Sequence, residues 1–195
     1  MPVTISGSGI TGIPPGGYPD QSVTGDDLAT TIKFGETLQT KYVIKTDTAS
    51  YTNGTWADVA GLSVDITPTS ASHKIFIQAN LALNSSQNHS FARIVKEIGG
   101  VTSTLTDLTS TSMLTNTVDS HFANIYSNSS GANDYCYENN MFLGIHEPAT
   151  TDLIKFKIQF KINSGYTAWL NASPNTLDSN ANGRSISTVI VQEIK

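Results

Sequence analysis

Four histidines, one cysteine and a surplus of serines are the groups in this chain that could carry chemistry. Their spacing argues against most of it. Asp119 and His121 stand two residues apart on a stretch that reads as strand, so they share one face and offer two metal ligands without a third. His146 and Glu147 are adjacent, and on a strand their side chains point apart. His73 and His89 complete the set, and none of the four makes a metal site by its own spacing. Cys136 lies between Tyr135 and Tyr137, with Asp134 and Glu138 beside them; that setting disfavours a thiolate and suits a small buried hydrophobe. A single cysteine also rules out an intrachain disulfide, so packing must hold the fold.

Serine chemistry needs a strand-to-helix elbow, and no G-x-S-x-G is present; Gly7-Ser8-Gly9 matches no functional pattern. The N-terminal glycines lack the following Lys-Ser or Lys-Thr of a phosphate loop. Paired carboxylates for sugar hydrolysis need a defined cleft, whereas Asp26 with Asp27 and Asp134 with Glu138 fall in arm or loop sequence. The expectation is a chain that is not an enzyme and has no catalytic residue, no cofactor and no metal. N-x-[ST] triplets at Asn53, Asn84, Asn88, Asn128 and Asn171 are what chance yields in a composition so rich in Asn, Ser and Thr. With no signal peptide they carry no glycosylation meaning.

Two surface features remain. Lys155, Lys157 and Lys161 line one face of a strand in an acidic protein. They read as a solvated face that guards against wrong strand pairing, or as an electrostatic contact for an acidic partner. Trp169, with Tyr166 close by, reads as core or interface packing, with an aromatic platform for sugar as the alternative.

These groups have to be positioned by a chain of 195 residues with 38% hydrophobic and only 14% charged content. Ser, Thr and Asn fill the remainder, which suits a β-protein that lives on surfaces rather than a disordered one. A net charge of −5 argues against binding nucleic acid through its phosphates. No stretch approaches the ~20 apolar residues of a membrane helix, and the start has no basic segment followed by an apolar one. No membrane partner is expected. The protein should stay where it is made or leave inside a larger particle.

Residues 1–40 read as an extended docking arm. Gly7, Gly9, Gly12, Pro14, Pro15, Gly16, Gly17 and Pro19 exclude a helix or a central strand. Val3, Ile5, Ile10, Ile13, Tyr18 and Val23 are the candidate docking residues. One short helix fits after Thr24, with Asp26 and Asp27 in its first turn.

From residue 41 to 195 the pattern is that of strands: 41–48, 56–66, 74–83, 91–98, 101–108, 118–126, 139–145, 153–162, 166–171 and 184–194. Ile75, Ile77, Ala79, Leu81 and Leu83 share one face. So do Ile154, Phe156, Ile158, Phe160 and Ile162, in strict period-two alternation with polar residues. Gly99-Gly100 reads as a tight hairpin turn. The last strand has apolar residues on both faces, so it belongs at the centre of a sheet or at a subunit contact. With no long helical pattern, the expected fold is all-β: an antiparallel β-sandwich, a jelly roll, after the arm. The Ser/Asn/Gly-rich loops 84–90, 128–133 and 173–183 face solvent in that reading.

The segment ISGSGITGIPPGGYPDQSVTGDDLA resembles the N-terminal signature of short tail-fibre-like and decoration proteins of tailed bacteriophages, especially those of aquatic bacteria. The block TDTASYTNGTWADVAGLSVDITPTSASHKIFIQANLAL is similar to a recurring phage pattern, matched by Asp58, Gly61, Leu62, Ser63, Ile66, Thr67, Pro68, Ser70, Ala71, Ser72, Lys74 and Ile75. Residues 91–100 and 186–194 also fit, and 109–147 match least. The resemblance implies a homotrimeric jelly roll on a threefold axis, somewhat like the tumour-necrosis-factor and C1q heads. It supplies no catalytic residue. Ile186, Val189, Ile190 and Val191 of the last strand are the candidate trimer contact.

Two homes on the virion follow. A capsid decoration, or cement, protein would dock its arm on the major capsid protein at the capsid exterior and stabilise the shell. A short tail fibre would plug its arm into a tail protein and display its loops to host polysaccharide. The absence of repeats and of a coiled-coil shaft favours the first.

Overall fold

The computed structural model describes residues 4–6, 9–11, 35–85, 90–105, 122–124, 138–162, 165–172 and 185–195. The chain divides into two compact units, Met1–Glu36 and Thr37–Lys195. In the first, β1 (Thr4–Ser6) and β2 (Gly9–Thr11) form an antiparallel ribbon with Ile5 opposite Ile10. Two of the six docking candidates are therefore cross-strand partners. Val3, Ile13, Tyr18 and Val23, and the helix expected after Thr24, lie outside the described residues.

The second unit contains β3 (Thr37–Lys45), β4 (Ala49–Tyr51), β5 (Ala57–Ile66), β6 (Lys74–Ser85), β7 (Ser90–Ile98), β8 (Val101–Thr104), β9 (Phe122–Asn124), β10 (Glu138–His146), β11 (Ile154–Ile162), β12 (Ala168–Leu170) and β13 (Ser187–Ile194). The domain starts at Thr37 rather than Lys41, because residues 37–40 already pair with β13. The described residues hold no helix, so none there could cross a membrane.

Several strands are broken, and joining the pieces shows the topology. β3 and β4 lie in line in the sheet, as do β12 and β13: β13 pairs with β3 and one stretch of β6, while β12 pairs with β4 and the next stretch of β6. Likewise β8 and β9 share one edge of β7. The first sheet then reads β3/β4, β12/β13, β6, β10, and the second β5, β11, β7, β8/β9, with every pairing antiparallel. Numbered along the chain, these are positions 1-8-3-6 and 2-7-4-5. That is the pattern of a long hairpin rolled up on itself, the jelly roll. The sandwich expected from the alternating stretches is present.

The alternation decides the faces. Ile75, Ile77, Ala79, Leu81 and Leu83 of β6 point inward, as do all five apolar residues of β11 from Ile154 to Ile162. Burying a side chain of this size stabilises by about 1.5–3 kcal/mol, so β11 alone is a major part of the core. Tyr51 stacks on Phe160 at 5.2 Å and closes the end of the interior near β4. Gly99 and Gly100 take φ of 57° and 82°, as a two-residue turn between Ile98 and Val101 requires. At Gly61, φ is 74°, and here residues 59–62 oppose the single Ile158; the bulge turns both Val59 and Leu62 into the core.

Candidate functional site

The histidines on described residues serve the fold. Glu193 has no exposed surface, and its carboxylate accepts hydrogen bonds from Gln39 Nε2 (2.6 Å), the Thr69 backbone N–H (2.7 Å) and Thr69 Oγ1 (2.7 Å). His73 Nδ1 lies 2.7 Å from the same oxygen as Thr69. Burial pushes this carboxyl up, but the hydrogen bonds from Gln39, Thr69 and His73 outweigh it and hold its pKa at about 2. The cluster ties the last strand to the corner after β5, where Thr67-Pro68 stops the strand. His146 is buried at the end of β10, with Nε2 3.2 Å from Lys96 Nζ and its ring edge-on to Phe156. Among the described residues no three His, Cys, Asp or Glu gather at metal-binding distance. Asp119, His121, His89 and Cys136 lie outside the described residues. Open grooves of about 530 and 480 Å³ lie beside Gly99-Gly100 and between β3 and β5; neither lining includes a histidine, a cysteine or an aromatic residue other than Tyr42.

The outer face of the second sheet neutralises itself. Lys157 Nζ reaches Asp58 Oδ2 at 2.7 Å and Glu97 Oε2 at 3.0 Å, and donates to Thr102 Oγ1. The Asp58 hydrogen bond leads the interactions that raise the Lys157 pKa, and the bond from Lys157 lowers Glu97. Gln159 Nε2 donates to Asp58 Oδ1, and Arg93 Nε donates to Gln159 Oε1. The Arg93 guanidinium lies 4.3 Å over the Trp56 ring. Lys155 is flanked by Asp65 and Glu97 in the adjoining strands. Lys157 is thus the centre of a bonded charge cluster, with Lys155 beside it between two carboxylates.

The outer face of the first sheet is different. Nine large hydrophobic residues are exposed among those described, and six of them project from β3 (Leu38, Tyr42, Ile44) and β10 (Met141, Leu143, Ile145). Ile186, just before β13, is a seventh. Strand register sets them in rows. Met141, Asn80, Thr188 and Ile44 form one, Leu143, Gln78, Ile190 and Tyr42 the next, and Ile145, Phe76, Gln192 and Thr40 a third. Trp169, half-buried, shares this face, while Tyr166 packs on the core, so the two do not build one platform. The six exposed residues of β3 and β10 line the two edges of the face, with the half-buried Asn80, Gln78, Thr188 and Gln192 among the residues between them.

The candidate trimer contact needs correcting against this face. Val189 and Val191 are 1% and 0% exposed and belong to the core; Ile186 and Ile190 lie on the outside. β13 is central, between β3 and β6, with its valines on the core side and Ile190 and Ile194 on the outer side. Sequence reading missed the outward face of β10. Its outward positions are Met141, Leu143 and Ile145, while Asn140, Gly144 and His146 stand among the inward ones. The signal was an alternating strand whose more apolar set is the exposed one.

A scan against protein-family models finds no match, and a search of curated proteins finds no relative.

Proposed function

We propose that this chain is a non-enzymatic structural protein of a tailed-bacteriophage particle. Its jelly-roll head assembles as a homotrimer through the outer face of the first sheet. Its N-terminal arm docks the trimer on the major capsid protein, as a decoration or cement protein of the capsid exterior. The observation that carries the reading is the contrast between the two outer faces: one is a bonded charge lattice fit for water, the other exposes Met141, Leu143, Ile145, Tyr42 and Ile44 together. Leaving that much apolar surface in water is costly, and covering it with further copies removes the cost. The placement on a virion rests on the resemblance of the arm and of the Asp58 to Ile75 block, and the separate arm unit supplies the second attachment.

The test is the stoichiometry of this chain in purified particles after heads are separated from tails. Hundreds of copies in the head fraction are expected. A few copies in the tail fraction would overturn the capsid location in favour of a short tail fibre, and absence from both fractions would overturn the virion reading.

A further inference from the structure

One end of the core is polar, and strand register shows how its parts line up. On the inward face of the first sheet, Ile75 of β6 stands between His146 of β10 and Glu193 of β13, with Gln39 of β3 beyond Glu193. His146 and Glu193 are 2% and 0% exposed, so two titratable groups are buried in one row. Their strands lie about 10 Å apart, two strand spacings. Glu193 is held within the first sheet and its corner by Gln39, Thr69 and His73. His146 instead meets the opposite sheet. Lys96 lies two residues beyond the buried Ile94 on β7 and shares its inward face. Its Nζ reaches His146 Nε2 at 3.2 Å, and the imidazole stands edge-on to Phe156 of β11 at 6.0 Å. An ammonium has only donors, so Nε2 is the acceptor and the imidazole is neutral, with its proton on Nδ1. The bond joins β10, an outermost strand of the first sheet among the described residues, to β7 of the second.

Protonation of His146 undoes this contact in two ways. It removes the lone pair that accepts from Lys96, and it sets an imidazolium against an ammonium where little water screens them. Among the described residues, the carboxylates around the pair are engaged elsewhere. Glu147, next along the chain, bonds Lys74 of β6 at 2.9 Å. Glu97 lies on the outer face of β7 and bonds Lys157 of β11, and Glu193 of β13 is held by its own cluster. Asp152 and Lys155 line the groove beside Gly99-Gly100. The inward neighbours of Lys96 on β11 and β8 are Phe156 and Ser103, which carry no charge.

We infer that His146 and Lys96 form an acid-sensitive latch, closed while the imidazole is neutral, which releases the end of β10 from the second sheet when His146 takes up a proton. In the unfolded chain His146 binds protons as an ordinary histidine does, near pH ~6.5. The closed latch binds them less readily, so its stabilisation is complete above that value and is lost as pH falls below it. Glu193, with its carboxyl at about 2, stays ionised through this range, so the two effects separate on the pH scale.

The test is urea unfolding of the full chain at about pH 7.5 and about pH 5, at one protein concentration, for wild type, His146→Gln and Lys96→Glu. Relative to His146→Gln, which has no imidazole to titrate, the wild-type unfolding constant should rise about 10- to 30-fold between the two conditions. Lys96→Glu sets a carboxylate against the ring, so proton uptake then closes the contact and the change should reverse sign, with stability gained toward acid. That variant is compared with wild type directly, so the sign test does not depend on His146→Gln being folded. Hydrogen exchange over residues 138–146, corrected for the intrinsic effect of pH, gives the local reading: protection of β10 should drop at the lower pH in wild type and hold in His146→Gln. Equal pH dependence in wild type and His146→Gln would overturn the latch, as would a Lys96→Glu chain that loses stability toward acid as wild type does. Protection of β10 that is the same at both pH values in wild type would overturn release of the strand.

Discussion

Ser187 Oγ donates a 2.7 Å hydrogen bond to Asn171 Oδ1, closing the break between β12 and β13. The same hydroxyl accepts the Ala82 N–H, and the Asn171 N–H donates to the Ala82 carbonyl, so β6 keeps its ladder across the gap. Asn171 Nδ2 donates to the carbonyls of Lys45 and Asp47, which spans the matching break between β3 and β4. One buried amide thus satisfies the backbone at both interruptions of the sheet, in a residue whose φ is 57°.

Asn171→Ala should destabilise the head by about 3 kcal/mol: it strands buried carbonyls and leaves in the left-handed region a residue without the short polar side chain that makes this conformation tolerable for asparagine. Asn171→Gly should cost about 1 kcal/mol less, since only the hydrogen bonds are lost. Urea unfolding of the three proteins checks the order. Equal losses for Ala and Gly would show that backbone strain at residue 171 plays no part.

The Glu193 carboxyl, with its pKa at about 2 against an ordinary value of 4.5, makes stability depend on pH. Protons bind the unfolded chain first, so the contribution is complete above pH ~5 and is lost as pH falls from the ordinary value through the folded one. It amounts to on the order of 2–3 kcal/mol. Glu193→Gln should be less stable than wild type at pH 7, with the difference shrinking steadily as the pH is lowered toward the folded value. Thermal melts across that range decide it; a difference that does not vary with pH would remove the charge from the account.

The layers of the fold were legible because β6 and β11 alternate strictly, and a period-two pattern leaves one choice of inner face. β13 was ambiguous for a physical reason. Val189, Ile190 and Val191 suit either side, and only the presence of β3 and β6 beside it shows that the valines face the core. The Glu193 clasp was hidden by distance in sequence, since it joins the last strand to Gln39, Thr69 and His73. Trp56 gave no sign of Arg93 above it. The β10 flank was in plain view as Met141, Leu143 and Ile145, but an apolar alternation is ordinarily taken as core, and here it faces out.

On the second sheet, Lys157→Met should lower the melting temperature by at least ~4 °C, because the largely covered Lys157 ammonium bonds both Asp58 and Glu97 and its loss leaves those carboxylates without their shared cation, and it should leave the oligomeric state unchanged. Dissociation of the assembly by this substitution would place an interface on the charged face, contrary to the proposal.

Among the described residues, the core of the head is drawn from positions after Glu36. Removing residues 1–24 should therefore leave a folded head of unchanged oligomeric order that no longer binds particles. Co-sedimentation with particles stripped of this chain checks it, and a truncated protein that still decorates them would refute the docking role of the arm.

The native mass of the full chain bears most directly on the central claim that the outer face of the first sheet is covered by further copies. Sedimentation velocity at micromolar concentration should show one species at three times the mass of the 20.8 kDa chain. A single species at 20.8 kDa across the accessible concentration range would mean that Met141, Leu143, Ile145 and Tyr42 stay in water, and would contradict the account.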